Sequence, residues 1–340
     1  MAIRSNGGTC TMMGPDHKQN NAPASGWVLG INTRYFRSFR HFVGKDEQKQ
    51  RIAQGTEVIN HSYSTELGLT RMLNGRWSLA FFAPFISNTR SSLYEHDGKH
   101  RNHTHSFGVG DVRVAAYYWL VDPVRNTRFN VQAGLGIKLP TGDYRYQDYF
   151  YKNDSVKVLG PVDQSIQLGD GGTGITAEIN AFYRATGHLN IYVNGYYLSN
   201  PREQNSVSTA RGGTVSPSAV ANGSDVMSVP DQYMARLGAQ VAVNRFSFSG
   251  GLRIECVPSE DLIGGSNGFR RPGYVLSAEP VIAYKLKRTQ LYVSVPYAVQ
   301  RNRTQSVPDK IRTQKTGVYT KGDAAFADYS INIGAAFALN

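Results

Sequence analysis

Four of the eight histidines crowd into one short segment, His96, His100, His103 and His105, with Glu95 and Asp97 beside them. Imidazole nitrogens and carboxylate oxygens together suit a divalent transition metal, so these four histidines are the candidate metal ligands. Their spacing matches no helical His-Glu-x-x-His register and no fixed tetrahedral pattern, and the segment reads as a solvated loop. Gly169 to Gly174 is glycine-rich but lacks the Lys-Ser/Thr ending of a phosphate loop, so it reads as a flexible lead into a strand. Only Cys10 and Cys256 occur, which excludes a disulfide scaffold and every multi-cysteine zinc motif. No cofactor motif is present.

A second group of ionisable residues has a different character. Arg34, Glu66, Asp111, Arg113, Lys138, Glu178, Arg236, Arg253, Glu255 and Glu279 lie scattered through the chain, each inside a run of period-two alternation. The C-terminal run is the clearest: Tyr329, Ile331, Ile333, Ala335, Phe337 and Leu339 form one face, and Ser330, Asn332, Gly334, Ala336 and Ala338 the other. Such alternation marks a strand with two different surroundings. The apolar phase of these runs carries no Asp, Glu, Lys or Arg, and the ten charged residues fall in the opposite phase.

Alternation alone fits a soluble sandwich or a membrane barrel. The connections separate the two. Long ones (Arg37–Glu57, Asn88–Ser106, Pro140–Gly174, Asn200–Asp231, Pro258–Gly273, Arg301–Ala324) alternate with tight ones at Asn74-Gly75, Asp122-Pro123, Ala185 to Gly187, Asn244-Arg245 and Lys287-Arg288. Outer-membrane barrels have short periplasmic turns and long external loops, and a sandwich has no reason for that regularity. No stretch approaches the ~18 apolar residues of a membrane-spanning helix. The expected fold is all-β: a closed antiparallel transmembrane barrel of about twelve strands over 25–340, both termini periplasmic, in the bacterial outer membrane. Met1 to Ala24 is expected to be a free periplasmic segment, with no export signal visible in it.

This topology sorts the aromatics into two belts at the lipid–water boundaries. Tyr35, Tyr197, Tyr233, Tyr274, Tyr297 and Tyr329 belong to the external belt; Trp27, Trp77, Tyr118, Phe129, Tyr183, Phe246, Tyr284 and Phe337 to the periplasmic one. The ten charged residues then face the lumen. Arg236 with Glu255, and Arg253 with Glu279, are expected to pair along the wall. The lumen charges either neutralise one another or set a transverse field that guides a solute. Basic Arg301, Arg303, Lys310, Arg312, Lys315 and Lys321 lie outside the cell on this topology, where lipopolysaccharide phosphates are a better match than nucleic acid. Hydrolysis at the membrane boundary would need an outward nucleophile beside a base; His61 is outward, and no outward serine is evident next to it, so an enzyme is not expected.

Three short motifs resemble a known outer-membrane family. Gly108-Val109-Gly110-Asp111-Val112, Lys138-Leu139-Pro140-Thr141-Gly142-Asp143 and Gln167-Leu168-Gly169-Asp170-Gly171 are similar to segments of the transporter-like barrels grouped as "putative MetA-pathway of phenol degradation". The resemblance implies a channel for small solutes, aromatic or hydrophobic compounds among them, and brings no catalytic residues. The sequence thus leaves two readings: a passive channel for a small-molecule solute, or a closed structural barrel whose loops bind a protein partner or lipopolysaccharide.

Overall fold

The computed structural model describes residues 26–123, 125–126 and 128–339; the segment Met1–Ala24 and Cys10 lie outside them. Twelve strands form the wall. They are β1 (Gly26–Val43), β2 (Ile59–Met72), β3 (Trp77–Ser92), β4 (Asn102–Val109 and Arg113–Trp119), β5 (Phe129–Lys138) and β6 (Gly174–Arg184). They continue as β7 (Leu189–Ser199), β8 (Gln232–Val243), β9 (Phe246–Val257), β10 (Gly273–Lys285), β11 (Thr289–Ser294 and Tyr297–Arg303) and β12 (Ala324–Leu339). Each strand pairs antiparallel with its sequence neighbours. β1 then pairs with β12 from Trp27 opposite Leu339 to Phe42 opposite Ala324, so the sheet has no open edge. Closure is obligatory in hydrocarbon, where an unpaired backbone group finds no water.

Two strands are broken, each beside a proline. Pro84 in β3 has no N–H to offer the ladder; opposite it the chain leaves β4 and Gly110 donates to the Pro84 carbonyl at 2.7 Å. Pro296 interrupts β11 in the same way.

The alternation of connections holds, with tight turns such as 73–76, 185–188 and 244–245 at one end. Asn244 takes a φ of 54°, the left-handed conformation a two-residue hairpin requires. At the other end two expected loops are shorter than hydropathy suggested. β1 runs on to Val43, β3 to Ser92, and β4 begins at Asn102, so the connections shrink to 44–58 and 93–101. The wall extends beyond the lipid as largely polar hairpins: Ser38, His41, Arg90, Ser92 and Thr104 are buried on the inner side, so polar residues fill both phases and hydropathic contrast is lost.

The belts form by register. Tyr35 stacks on Tyr63 at 4.5 Å and Tyr197 on Tyr233 at 6.2 Å, and Tyr297 lies opposite Tyr329. At the other boundary Trp77 meets Tyr118 and Phe246 meets Tyr284, each at 4.7 Å between ring centroids, and the Arg71 guanidinium sits 5.1 Å from the Trp27 ring. Between the belts Val193, Leu237 and Leu252 form one exposed outward row. Leu237→Arg should therefore cost ~2–4 kcal/mol in folding titrations into lipid, and inward Ser247→Arg much less; equal penalties would contradict the outward assignment. The inward positions Asn194 and Asn332 are unsuitable controls, although their phase alone recommends them. Asn194 is buried opposite Arg236, and Asn332 is buried and donates to Ser294.

Candidate functional site

The ten charged residues singled out by phase all turn inward and are buried from solvent. They are joined across the lumen as well as along its wall. Arg34 on β1 makes a bidentate contact with Glu255 on β9 at 2.8 and 3.1 Å, although three strands separate them around the ring, so this pair spans a chord of the lumen. Glu255 also receives Arg253 at 3.0 Å, Arg253 reaches Glu279 at 3.4 Å, and Arg236 grips Glu279 at 2.8 and 2.7 Å. The expected Arg253–Glu279 pair thus forms. Arg236 takes Glu279, two strands away, in place of the expected Glu255, which Arg34 and Arg253 already hold. On the opposite wall Arg113 pairs with Glu178, which also accepts the Tyr117 hydroxyl at 2.9 Å, and its guanidinium lies 4.1 Å from the Phe82 ring. Glu66 is buried on β2.

The three motifs of the resemblance converge on one knot. Asp111 accepts the Gly142 N–H at 3.0 Å and the Asp170 N–H at 3.2 Å, and it pairs with Lys138 at 3.4 Å. Lys138 is also bound to Asp170. Thr141 Oγ1 donates to the Gly110 carbonyl and accepts the Val112 N–H, both at 2.9 Å. A Cβ on Gly169 would fall 2.6 Å from both Asp111 Oδ1 and the Gly142 carbonyl, so only glycine lets these non-strand segments approach this closely.

That knot anchors an inward-folded segment. Residues 162–170 of the third long connection leave the rim and enter the barrel, burying Val162, Ile166 and Leu168 completely or nearly so. The Ile166 carbonyl accepts from Ser106 at 2.5 Å and Asn88 at 3.3 Å on the wall, while Gln164 reaches the Ser228 and Phe269 carbonyls of the fourth and fifth long connections. Asp163 is the hub. It accepts two hydrogen bonds from Arg271 at 2.8 Å and one from Arg211 at 2.7 Å, and Arg90 lies 3.5 Å away. Burial alone would raise this carboxyl, but Arg271, Arg90 and Arg211 outweigh it and hold the group well below the usual carboxylate range. Phase reasoning missed Asp163, Glu95, Arg90, Arg211 and Arg271, most of which lie in segments that read as solvated loop. The available signal was apolar Val162, Ile166 and Leu168 inside a long polar connection.

Between this segment and the paired charges lies a cavity of about 180 Å³, walled by Arg34, Ser64, Ile86, Asn88, Ile166 and Met227 among others.

The four candidate metal histidines do not gather. His103 and His105 stand on β4 with rings 6.2 Å apart, His96 stacks on Phe150 and accepts the Tyr151 N–H at 3.1 Å, and His100 bonds Asp97 at 2.9 Å. Alternate strand residues share a face, but the turn 93–101 sends the other two elsewhere. Among the described residues, Asp97, His100 and Asp154 are the group whose donor atoms come together, and Asp154 is almost wholly exposed. Outward His61 bonds the Tyr35 hydroxyl at 3.0 Å. Ser87 does face outward on the neighbouring β3, contrary to the sequence reading, but opposite Tyr63 and offset from His61.

A closed antiparallel barrel with an apolar exterior between aromatic belts and a charged lumen is an outer-membrane β-barrel, which places the chain in the bacterial outer membrane. No protein-family model and no curated protein matches the sequence. Among solved structures the fold is similar to an outer membrane channel from Pseudomonas putida F1, with a TM-score of 0.60, 13% identity, and 96% of this chain and 98% of that one covered. The Ralstonia pickettii toluene transporter TbuX aligns over 93% of this chain and 90% of its own at a TM-score of 0.42 and 8% identity.

Proposed function

We propose that this barrel is a passive outer-membrane channel for small solutes, constricted by the inward segment 162–170. The observation that carries the reading is the cavity inside the wall, bounded by that segment and by side chains that cancel one another's charge. The family resemblance of the three motifs points to aromatic or hydrophobic compounds, and Ile86, Ile166 and Met227 supply an apolar surface for such a body. The ten lumen residues act here mainly as mutual counter-ions, so ion selectivity is weak and the transverse-field reading recedes. Lipopolysaccharide remains the proposed external partner, through fewer groups than the sequence suggested: Arg301 is held by Asp328, Arg303 by Asp309 and Lys310 by Glu260.

The second reading, a closed interaction barrel, is favoured by one observation, the Arg34–Glu255 chord. Planar-bilayer recordings separate the two. Purified protein should show small conductance steps with little ion preference; none at all, with folding verified by heat-modifiable gel mobility, would retire the channel.

A further inference from the structure

We propose that the outer face of β1 to β4, just above the external aromatic belt, is a docking site for the phosphates of a lipid in the outer leaflet. Arg37, His61 and His103 are the groups that receive them. The inference rests on lipopolysaccharide as the external partner and gives it a site on the wall, away from the last long connection. Register sets these groups side by side. Tyr35 pairs with Tyr63, Tyr63 with Ser87 and Ser87 with Phe107, and this row across four strands marks the lipid boundary. Two residues further out on each strand, where side chains again point outward, the row reads Arg37, His61, Thr89 and His105. The next row holds His103 opposite Ser91, and Ser91 opposite Ile59. At about 3.3 Å per residue the cationic row stands roughly 6 Å beyond the aromatic row. A head-group layer about 5–7 Å deep lies at that level.

These groups lack counter-ions of their own. Arg37 is exposed, its guanidinium lies 4.4 Å from the Phe39 ring, and among the described residues it bonds to no carboxylate. His61 meets the Tyr35 hydroxyl through Nδ1 at 3.0 Å, which leaves Nε2 to a ligand. The charged groups that act on the His61 ring are Arg37 and His103, with no acid among them. His103 is exposed and stacks on His105 at 6.2 Å. Acid begins only past His105, whose Nδ1 lies 3.6 Å from Asp148. A phosphate would supply the missing negative charge, with paired oxygens that match the planar Arg37 guanidinium and further acceptors for the two imidazoles.

Other tyrosines of the same belt are capped differently. Tyr197 donates to Asp231 at 2.7 Å, and Tyr274 accepts from Gln300 at 2.8 Å. An acid or an amide stands by those rings, whereas cations stand above Tyr35 and Tyr63. Beneath the cations the wall offers an apolar surface: Phe85, Phe107 and Val109 are exposed, and the neighbouring Thr33 and Thr65 hydroxyls satisfy each other at 2.9 Å. A phosphate that carries acyl chains is therefore held at both ends. Free phosphate would meet only exposed cations, whose attraction water and salt screen.

The test uses full-length protein in phosphatidylcholine nanodiscs, with native mass spectrometry counting the lipid that stays bound. The probes are lipid A with both phosphates, the same lipid A with its phosphates removed, and inorganic phosphate as competitor. The phosphorylated lipid should bind about tenfold tighter than the dephosphorylated one, and inorganic phosphate should not displace it. Arg37→Gln with His61→Gln should remove that preference, and His103→Gln should weaken it, while heat-modifiable mobility persists. Should the double variant fail to fold, Arg37→Gln alone lowers the preference and leaves the Tyr35–His61 bond in place. Arg312→Gln with Lys315→Gln, in the last long connection, should leave the preference unchanged. A folded Arg37–His61 double variant that keeps the full preference, or displacement of the lipid by inorganic phosphate, overturns the wall site. Loss of preference in the connection variant alone also overturns it and leaves lipopolysaccharide as the partner. Absence of phosphate-dependent binding by the unaltered protein retires both.

Discussion

Glu279→Gln is expected to destabilise the barrel by about 3–5 kcal/mol, the range for removing one partner of a buried ion pair. Glu279 is 1% exposed and is the carboxylate shared by Arg236 and Arg253, with Ser294 donating to it at 3.0 Å. The amide keeps the shape and some hydrogen bonding but leaves Arg236 without a counter-ion in a lumen that offers it little water. Urea-titrated folding into lipid vesicles measures the loss. A change below about 1 kcal/mol would mean that water solvates this belt and that the charges are not locked. Replacing both members together, Glu279→Leu with Arg236→Met, should recover most of the loss, because an apolar pair of similar volume needs no compensation. The same geometry changes what Arg236→Gln and Lys138→Gln report. Phase alone suggests a shift toward cation preference from two lost positive charges; in the folded barrel Arg236→Gln also leaves Glu279 with only the longer Arg253 contact, and Lys138→Gln strands the Asp111–Asp170 pair, so weakened folding accompanies any altered selectivity.

The second large effect concerns the inward segment. Asp163→Asn removes one of the two carboxylates that face Arg90, Arg211 and Arg271, the one that Arg271 pairs with, and leaves Glu95 alone against three cations. The local cost is again about 3–5 kcal/mol, enough to release a segment whose opening free energy lies below that of the whole barrel. Conductance steps should become larger and more variable at neutral pH. Acid should do the same to the unaltered protein. The Asp163 carboxyl is held below its unfolded value, so its stabilisation is complete above the ordinary carboxylate pKa of about 3.9 and is lost as pH falls toward the folded value. Wild-type steps should therefore grow only below about pH 4, whereas Asp163→Asn should already be open and lack that response. Identical steps for the two proteins at neutral pH would show that Asp163 does not hold the constriction.

The sequence by itself determined the wall. Alternation is a local property, since successive side chains on a strand must point to opposite sides, and a chain whose apolar phase excludes charge through strand after strand has declared which side meets lipid. Asn244-Arg245 and the other tight turns declared which end is periplasmic, and the inward phase of Arg34, Glu178 or Glu279 followed without knowledge of any contact. What only the tertiary structure decided is what those inward groups touch. Arg34 and Glu255 are 221 positions apart and meet because the wall closes and a guanidinium reaches across the lumen. Arg236 reaches past β9 to Glu279, since Glu255 is already held by Arg253 and by Arg34 arriving from across the lumen. Asp163 lies in a connection whose composition looks solvated; it is buried because 162–170 folds back into a cylinder that does not exist until all twelve strands have paired. The four histidines show the converse. Near in sequence, they diverge because a strand end and a turn aim their rings in different directions, and ligand geometry depends on direction more than on spacing.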